Sequence, residues 1–317
     1  MEQESKIVEP VESAEAKIKL ALERHGLTQE QATNQWERTV SQIISEGLNT
    51  VADRYGVDGE GASQEGKLAF HDLSHSLEFI DDAMELHRSS TEAGIIPSQG
   101  DLNFARVKFL IALGASYHDI EQNLGPGENE DASWLELEKT IRDKSLAITD
   151  QEKRLLNSGI EATKVKNYQT LEQEISRPAD TLEGWFERLF ADSDLSAFLK
   201  FERQHWRGNR LFWELRNKQL KREGQPIDKP LEIAEVDKWF DAQINVLQNH
   251  AGFWQLKDQL KEHQPYNRKE DLKNIELYQK LINLLERQGA GISQDRLHQL
   301  LSIKKEDCDQ IKYELGL

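Results

Sequence analysis

The chain has a single cysteine, Cys308, among 317 residues. That excludes an internal disulfide and fits a reducing compartment. No apolar run approaches the ~20 residues a membrane-spanning helix needs, so no membrane partner is expected. The first residues, Met1-Glu2-Gln3-Glu4-Ser5-Lys6, lack the basic-then-apolar order of a secretory leader, and the expected location is cytoplasmic. Positive charge is also short. Lys and Arg number 40 against 57 Asp and Glu, a net charge of -17. This argues against nucleic acid as a bulk partner, because phosphate backbones are held mainly through clustered basic side chains. A small phosphorylated substrate is not excluded, since a local metal ion can neutralise it.

What the chain has in quantity is helical periodicity. Residues 1–15 are rich in Glu and Ser and read as a flexible lead-in. Ile18, Leu20, Ala21 and Leu22 begin a short helix, and Thr28 with Gln31 suggests a capping box for the next. From Trp36, the residues Val40, Ile43, Ile44, Leu48 and Val51 trace an amphipathic helix ending near Gly56. Gly59 to Gly66 reads as a polar loop, and Gly94, Pro97 and Gly100 as another. Later helices are expected over about Thr149 to Lys166, Thr181 to Phe201, Trp206 to Glu223, Ile233 to Lys261 (with Phe253 and Trp254), Leu272 to Gln288 and Gln294 to Leu315. Gln225 to Pro230 reads as a turn, and no segment has a clear strand period. The expected architecture is all-α: a helical domain over 16–262 and a C-terminal helical extension over 266–317, past Pro265. The extension could be two short helices joined by a turn, but its mixed charges point to packing or partner binding, not DNA.

The stretch that organises the chain is Ala105 to Asn123. Its run Val107-Lys108-Phe109-Leu110-Ile111-Ala112-Leu113-Gly114-Ala115-Ser116-Tyr117 ends on His118-Asp119. A histidine and a carboxylate at the inner end of an apolar helix need partners, because burying such groups unpaired costs several kcal/mol. A metal ion would hold both. Upstream, His71 and His75 in Phe70-His71-Asp72-Leu73-Ser74-His75 are four apart and, on one helix, would lie one turn above each other. Downstream, Asp192 and Asp194 are expected in the middle of a helix rich in Trp, Phe and Leu. Leu124-Gly125-Pro126-Gly127 breaks the chain after the dyad, and Asn129 can cap a helix carrying Glu130 and Asp131. Imidazole and carboxylate are ligands of divalent ions. A lone histidine is most often an ordinary core or surface residue, and His25, His87, His205, His250, His263 and His298 are read so. Asp192 could simply pair with Arg188.

Taken together, His75, the His118-Asp119 dyad and Asp194 resemble the H...HD...D pattern of the HD-domain metal-dependent phosphohydrolases, an all-helical superfamily. Phe70 to His75 is similar to that superfamily's aromatic-His-Asn-x-x-His element, also seen in cyclic-nucleotide phosphodiesterases. Asn129-Glu130-Asp131-Ala132-Ser133, Ile160-Glu161-Ala162-Thr163-Lys164 and Ala191-Asp192-Ser193-Asp194-Leu195 look like segments of a bacterial branch of predicted phosphohydrolases. The resemblance covers about Trp36 to Arg216 and implies an HD-domain-like helical bundle. It makes His75, His118, Asp119 and Asp194 ligands of a divalent ion (Mn, Mg, Fe, Ni or Zn) and His71 a proton donor. Glu130 becomes a base or supporting residue, and Lys164 a contact for substrate phosphate. Two departures stand out. Asp72 replaces the usual Asn and would place a negative charge beside His71. Val165 stands where a further His is expected, which weakens the case for a second fully protein-held ion.

The expected function is hydrolysis of a small phosphomonoester or nucleotide by metal-activated water. Two other classes fit the same residues: a metal- or nucleotide-binding sensor without turnover, whose C-terminal helices serve as output or in a homodimer, and a helical scaffold with a relic site.

Overall fold

The structure is a computed structural model, and it describes residues 13–59, 67–97, 103–124, 127–167, 172–198, 200–249, 255–260, 263 and 268–317. Most of the N-terminal lead-in, the glycine-rich stretch after Gly59, Gly100, Gly125-Pro126, Leu199, His250, Phe253, Trp254 and Pro265 lie outside the described residues.

The chain is mostly α-helical. Helices α1 (Ala14–Arg24) and α2 (Gln35–Tyr55) precede α3 (Leu73–Glu92) and α4 (Phe104–Tyr117). Then come α5 (Glu128–Asp143) and α6 (Asp150–Glu161). A small antiparallel pair, β1 (Val165–Asn167) with β2 (Glu172–Gln173), interrupts the helical order before α7 (Leu182–Asp194). A 3-10 turn (Leu195–Phe198) leads into α8 (Phe201–Arg222) and α9 (Ile233–Asn249). The chain ends with α10 (Lys257–Leu260), α11 (Arg268–Gln288), α12 (Gln294–Leu300) and α13 (Lys305–Glu314). Among the described residues no helix is long and apolar enough to cross a membrane.

Helix α4 lies at the centre, against α2, α3, α5 and α6. It is apolar all round, and every residue from Phe109 to Tyr117 is buried, as expected of a helix with neighbours on all sides. Two close approaches depend on glycine. A Cβ at Gly114 would sit 2.6 Å from Phe190 of α7, and one at Gly47 would sit 2.6 Å from Tyr117. Phe190 stacks on Phe186 with ring centroids 4.7 Å apart, filling the seam between α4, α6 and α7. A second apolar cluster joins Phe212 of α8 to Val236 and Phe240 of α9, Leu277 and Leu281 of α11, and Leu300 and Ile311 near the C-terminus.

Several boundaries differ from the sequence expectation. Thr28 closes a turn with Gln31, and α2 is capped by Asn34, whose side chain accepts from the Glu37 N–H. Asn129 does not cap α5: its Oδ1 accepts from the Leu124 N–H, and the helix starts one residue earlier behind Gly127 in the left-handed region. The expected helix to Lys166 stops at Glu161, and the β pair follows, with Val165 opposite Gln173 and Asn167 opposite Glu172. Asp192 and Asp194 lie at the end of α7, not in its middle. The long helix expected to Lys261 is interrupted: α9 is described as far as Asn249, and Gln255 and Leu256, ahead of α10, are not helical. Helix α8 begins at Phe201, five residues before the expected start.

Candidate metal centre

Four side chains from three helices meet at the inner end of α4. His118 is the C-cap residue of α4, and its Nδ1 lies 2.7 Å from the Ala115 carbonyl. Nδ1–H therefore donates to that carbonyl, and Nε2 is left with its lone pair facing outward from the helix end. It lies 3.4 Å from Nε2 of His75, in the first turn of α3. Asp119 Oδ2 is 3.0 Å from His118 Nε2 and 3.2 Å from His75 Nε2. Asp194, the last residue of α7, brings Oδ1 to 3.3 Å from His75 Nε2 and 3.9 Å from His118 Nε2. Phe79 and Phe70 pack on the two imidazoles, at 4.4 and 4.7 Å between centroids.

This geometry suits a divalent ion. With metal–nitrogen bonds of ~2.0–2.1 Å, two ligands stand roughly 2.8–3.0 Å apart at octahedral angles and roughly 3.3–3.4 Å apart at tetrahedral ones, and the imidazole spacing of 3.4 Å matches the latter. His75, His118 and Asp119 each offer one ligand atom, all within 4.8 Å of one another. Asp119 Oδ2 is buried and makes no directed hydrogen bond, although both nitrogens are close. It points at the same space that they do. Its other oxygen is held by Gln122 Nε2 at 2.7 Å, which fixes the carboxylate. The electrostatics agree: burial opposes a charge on His75, but Asp119 and Asp194 outweigh it and push its pKa up to about 10. Burial likewise opposes ionisation of Asp119, yet the facing imidazoles of His118, His71 and His75 hold it well below the usual carboxylate range. A cation can take over the role that this bound proton plays.

His71 reaches the site by another route than expected. It is not on the helix: α3 begins at Leu73, and Asp72 is its N-cap, accepting from the His75 N–H. The two rings nevertheless stand edge to face, 5.7 Å apart, because the turn before α3 folds back over its first turn. The partner that holds His71 there is Glu214 of α8. Its Oε1 meets His71 Nδ1 at 2.7 Å, and its Oε2 accepts from the backbone N–H groups of Phe70 (3.0 Å) and His71 (3.1 Å). Burial disfavours the imidazolium, but Glu214 and Asp119 raise the pKa of His71 above its ordinary value. In return, His71 and Lys218 overcome burial to depress that of Glu214. The sequence signal for Glu214 is a charged stripe: with Arg207 and Arg210 it lies at i, i+3, i+7 on the buried face of α8.

Asp72 does not act on His71 as expected. Its carboxylate accepts from the N–H groups of Gly59 (2.5 Å) and His75, and Arg207 and Arg210 lie 3.9 and 3.6 Å away. The negative charge beside His71 is that of Glu214. Asp192 is committed elsewhere, to the backbone N–H groups of Gln255 (2.7 Å) and Leu256 (2.8 Å), and not to Arg188, whose guanidinium bonds the Arg177 and Gly184 carbonyls. Burial pushes Asp192 up to about 8. Asp194 is the carboxylate that faces the histidines, and its Oδ2 accepts from Gln173 Nε2 of β2 at 3.1 Å. Gln173 could not be found without the β pair.

Glu130, in the first turn of α5, flanks the cluster. Burial, with Asp119 and Asp194 nearby, raises its pKa, and its Oε2 is buried without a partner. Lys164 donates to Asp131 at 2.5 Å, on the Glu130 side. Val165 lies on β1 and offers no ligand.

Compared with protein-family models, curated proteins and solved structures, the chain shows no match to any. Fold and site thus define a mostly helical protein with a buried His-His-Asp group that could bind a metal ion and is compatible with an HD-like site.

Proposed function

We propose that the protein is an HD-type phosphohydrolase that cleaves a small phosphomonoester or nucleotide with a divalent ion held by His75, His118, Asp119 and Asp194. The observation that carries this reading is the convergence of two imidazole Nε2 atoms and the unbonded Asp119 Oδ2 on one buried point. An ion bound there would supply a water of lowered pKa and offset charge on the phosphoryl oxygens. Glu214 holds Nδ1–H of His71, so Nε2 is the atom that passes a proton to the leaving oxygen as the phosphorus–oxygen bond breaks. Glu130, with its raised pKa and unbonded oxygen, takes a proton from the attacking water. Lys164 meets a phosphate oxygen. The buried lone Cys308 fits work in the cytoplasm.

The test is a phosphate-release screen of the purified protein across phosphomonoesters, nucleotides and cyclic nucleotides with Mn or Mg, alongside elemental analysis. Bound metal and release from at least one substrate are expected; a protein that takes up no Mn, Fe, Mg, Ni or Zn after supplementation would sink the reading. A sensor without turnover is the second reading, favoured by the docking of the C-terminal helices on the helix that carries Glu214. Ligand-induced thermal shifts with no phosphate release across the same panel would establish it.

A further inference from the structure

The end of α12 and the turn after it present four successive backbone carbonyls to α8, and each is taken. Leu300 O accepts from His205 Nε2 (3.1 Å) and Asn209 Nδ2 (3.3 Å), and Leu301 O accepts from Trp213 Nε1 (2.9 Å). Ser302 O accepts from Asn209 Nδ2 (2.9 Å), and Ile303 O from Arg210 Nε (3.4 Å). The last carbonyls of a helix have no partners of their own. Here α8 supplies them, so the C-terminal segment is fastened to α8 at a fixed register. Lys312 Nζ adds a bond to the Phe201 carbonyl.

Arg210 faces the other way as well. Its Nη1 donates to Ser74 Oγ at 2.9 Å and stands 3.6 Å from Asp72 Oδ2. Ser74 Oγ in turn donates to Asp72 Oδ1 at 2.6 Å. Gly59, whose N–H bonds Asp72, lies so close that a Cβ there would meet Arg210 Nε at 2.8 Å. One guanidinium therefore bonds a C-terminal carbonyl with one nitrogen and the start of α3 with another. His71 is the residue just before Asp72, and its remaining hold is Glu214, one turn further along α8.

We infer that Arg210 is a positioning residue that ties the His71 turn to the C-terminal segment, so that proton donation, and not cation binding, depends on the docking of that segment. This rests on His71 being the acid of the reaction proposed above. The ion-binding side chains come from α3, α4 and α7 and make no direct bond to Arg210 or to residues 300–303; the one link is through Asp72, which pairs with Arg210 and accepts from the His75 backbone N–H. The acid is held on α8 alone. A planar guanidinium with several fixed donors suits such a two-sided link, where a lysine would supply a point charge.

The dependence on leaving group separates an acid-positioning role from general damage, because an activated leaving group such as p-nitrophenolate departs without a proton while an alkoxide does not. Arg210→Gln and, from the C-terminal side, Trp213→Phe are compared with the full-length wild type on p-nitrophenyl phosphate and on an alkyl phosphate. Expected is a loss of roughly 10–100-fold in kcat on the alkyl ester for Arg210→Gln, a smaller loss for Trp213→Phe, little change on p-nitrophenyl phosphate and unchanged metal content. Equal losses on both esters, or loss of metal, would overturn the inference. Amide hydrogen exchange gives a readout that needs no turnover: the Phe70 and His71 N–H groups should exchange at least about tenfold faster in Arg210→Gln while those of α4 keep their protection. Unchanged exchange at Phe70 and His71 overturns the inference even if the protein proves active, and faster exchange in an inactive protein supports the link while removing the phosphohydrolase reading.

Discussion

Two buried polar regions of the molecule resolve the cost of burial in different ways. Around α12, α8 offers donors to backbone carbonyls, the neutral side chains of His205, Asn209 and Trp213 together with the Arg210 guanidinium. At the end of α4, two buried imidazole nitrogens face the carboxylates of buried Asp119 and half-buried Asp194, with Asp119 Oδ2 and Glu130 Oε2 left unbonded. The first arrangement is a fastening in which every carbonyl from Leu300 to Ile303 has a donor, and what it leaves unbonded, His205 Nδ1 and Asn209 Oδ1, carries no charge. The second lacks a positive partner, and only a proton or a cation supplies one. That His75 is driven to a pKa of about 10 without an ion is the same deficit expressed as proton affinity.

The strongest way to break this comparison is to remove the acceptors. His118→Ala and Asp119→Ala should each abolish stoichiometric metal and lower phosphate release by more than about a hundredfold, beyond the usual cost of losing an outer-shell partner. Far-ultraviolet dichroism should remain helical. At a free-ion concentration 100 times Kd the wild type gains ~2.7 kcal/mol of stability, and neither variant should gain any. Full metal content in either would show that the ion, if one binds, sits elsewhere.

Glu214→Gln sharpens the division between ion and acid. The amide retains an acceptor for the Phe70 and His71 N–H groups but loses the charge that favours protonated His71. Metal content should hold while kcat on an alkyl phosphate falls roughly 10–100-fold and the alkaline limb of its pH profile moves to lower pH. A parallel fall in metal content would mean that the two functions are not separable.

The smallest effect belongs to the fastened region. Burial lowers the pKa of His205 to about 4, with the Lys312 charge adding to it. The unfolded chain, titrating near 6.5, binds a proton that the folded chain refuses, so stability should fall as pH drops from about 6.5 toward about 4. The slope from this residue is at most about 1.4 kcal/mol per pH unit, and His205→Gln should remove it. Urea titrations of both proteins at pH 7 and 5 measure the difference; equal slopes would show that His205 is not the group responsible.

Much of the helical layout was legible because each helix writes its own period and caps. Helix α2 follows its apolar spacing almost to the residue, and Thr149 with Glu152 forms the capping box that starts α6. Misreadings fell where a local pattern had two outcomes. His71 and His75 fit a helical spacing, yet Asp72 is a better cap than an interior residue, and the helix starts after it. The β pair escaped because each strand is two or three residues long and is stabilised only by the other.

The sequence by itself determined that a histidine and an aspartate must be buried at the end of an apolar helix, because hydrophobic periodicity and the order of residues along α4 are local properties. Only the tertiary structure decided which groups meet them. Asp194 and not Asp192 turns toward the histidines, Glu214 and not Asp72 holds His71, and Gln173 arrives on a strand that no local signal announced. Hydrogen bonds and ion pairs act over about 3 Å, so their partners are fixed by how helices dock, and residues 143 positions apart in the chain can become immediate neighbours.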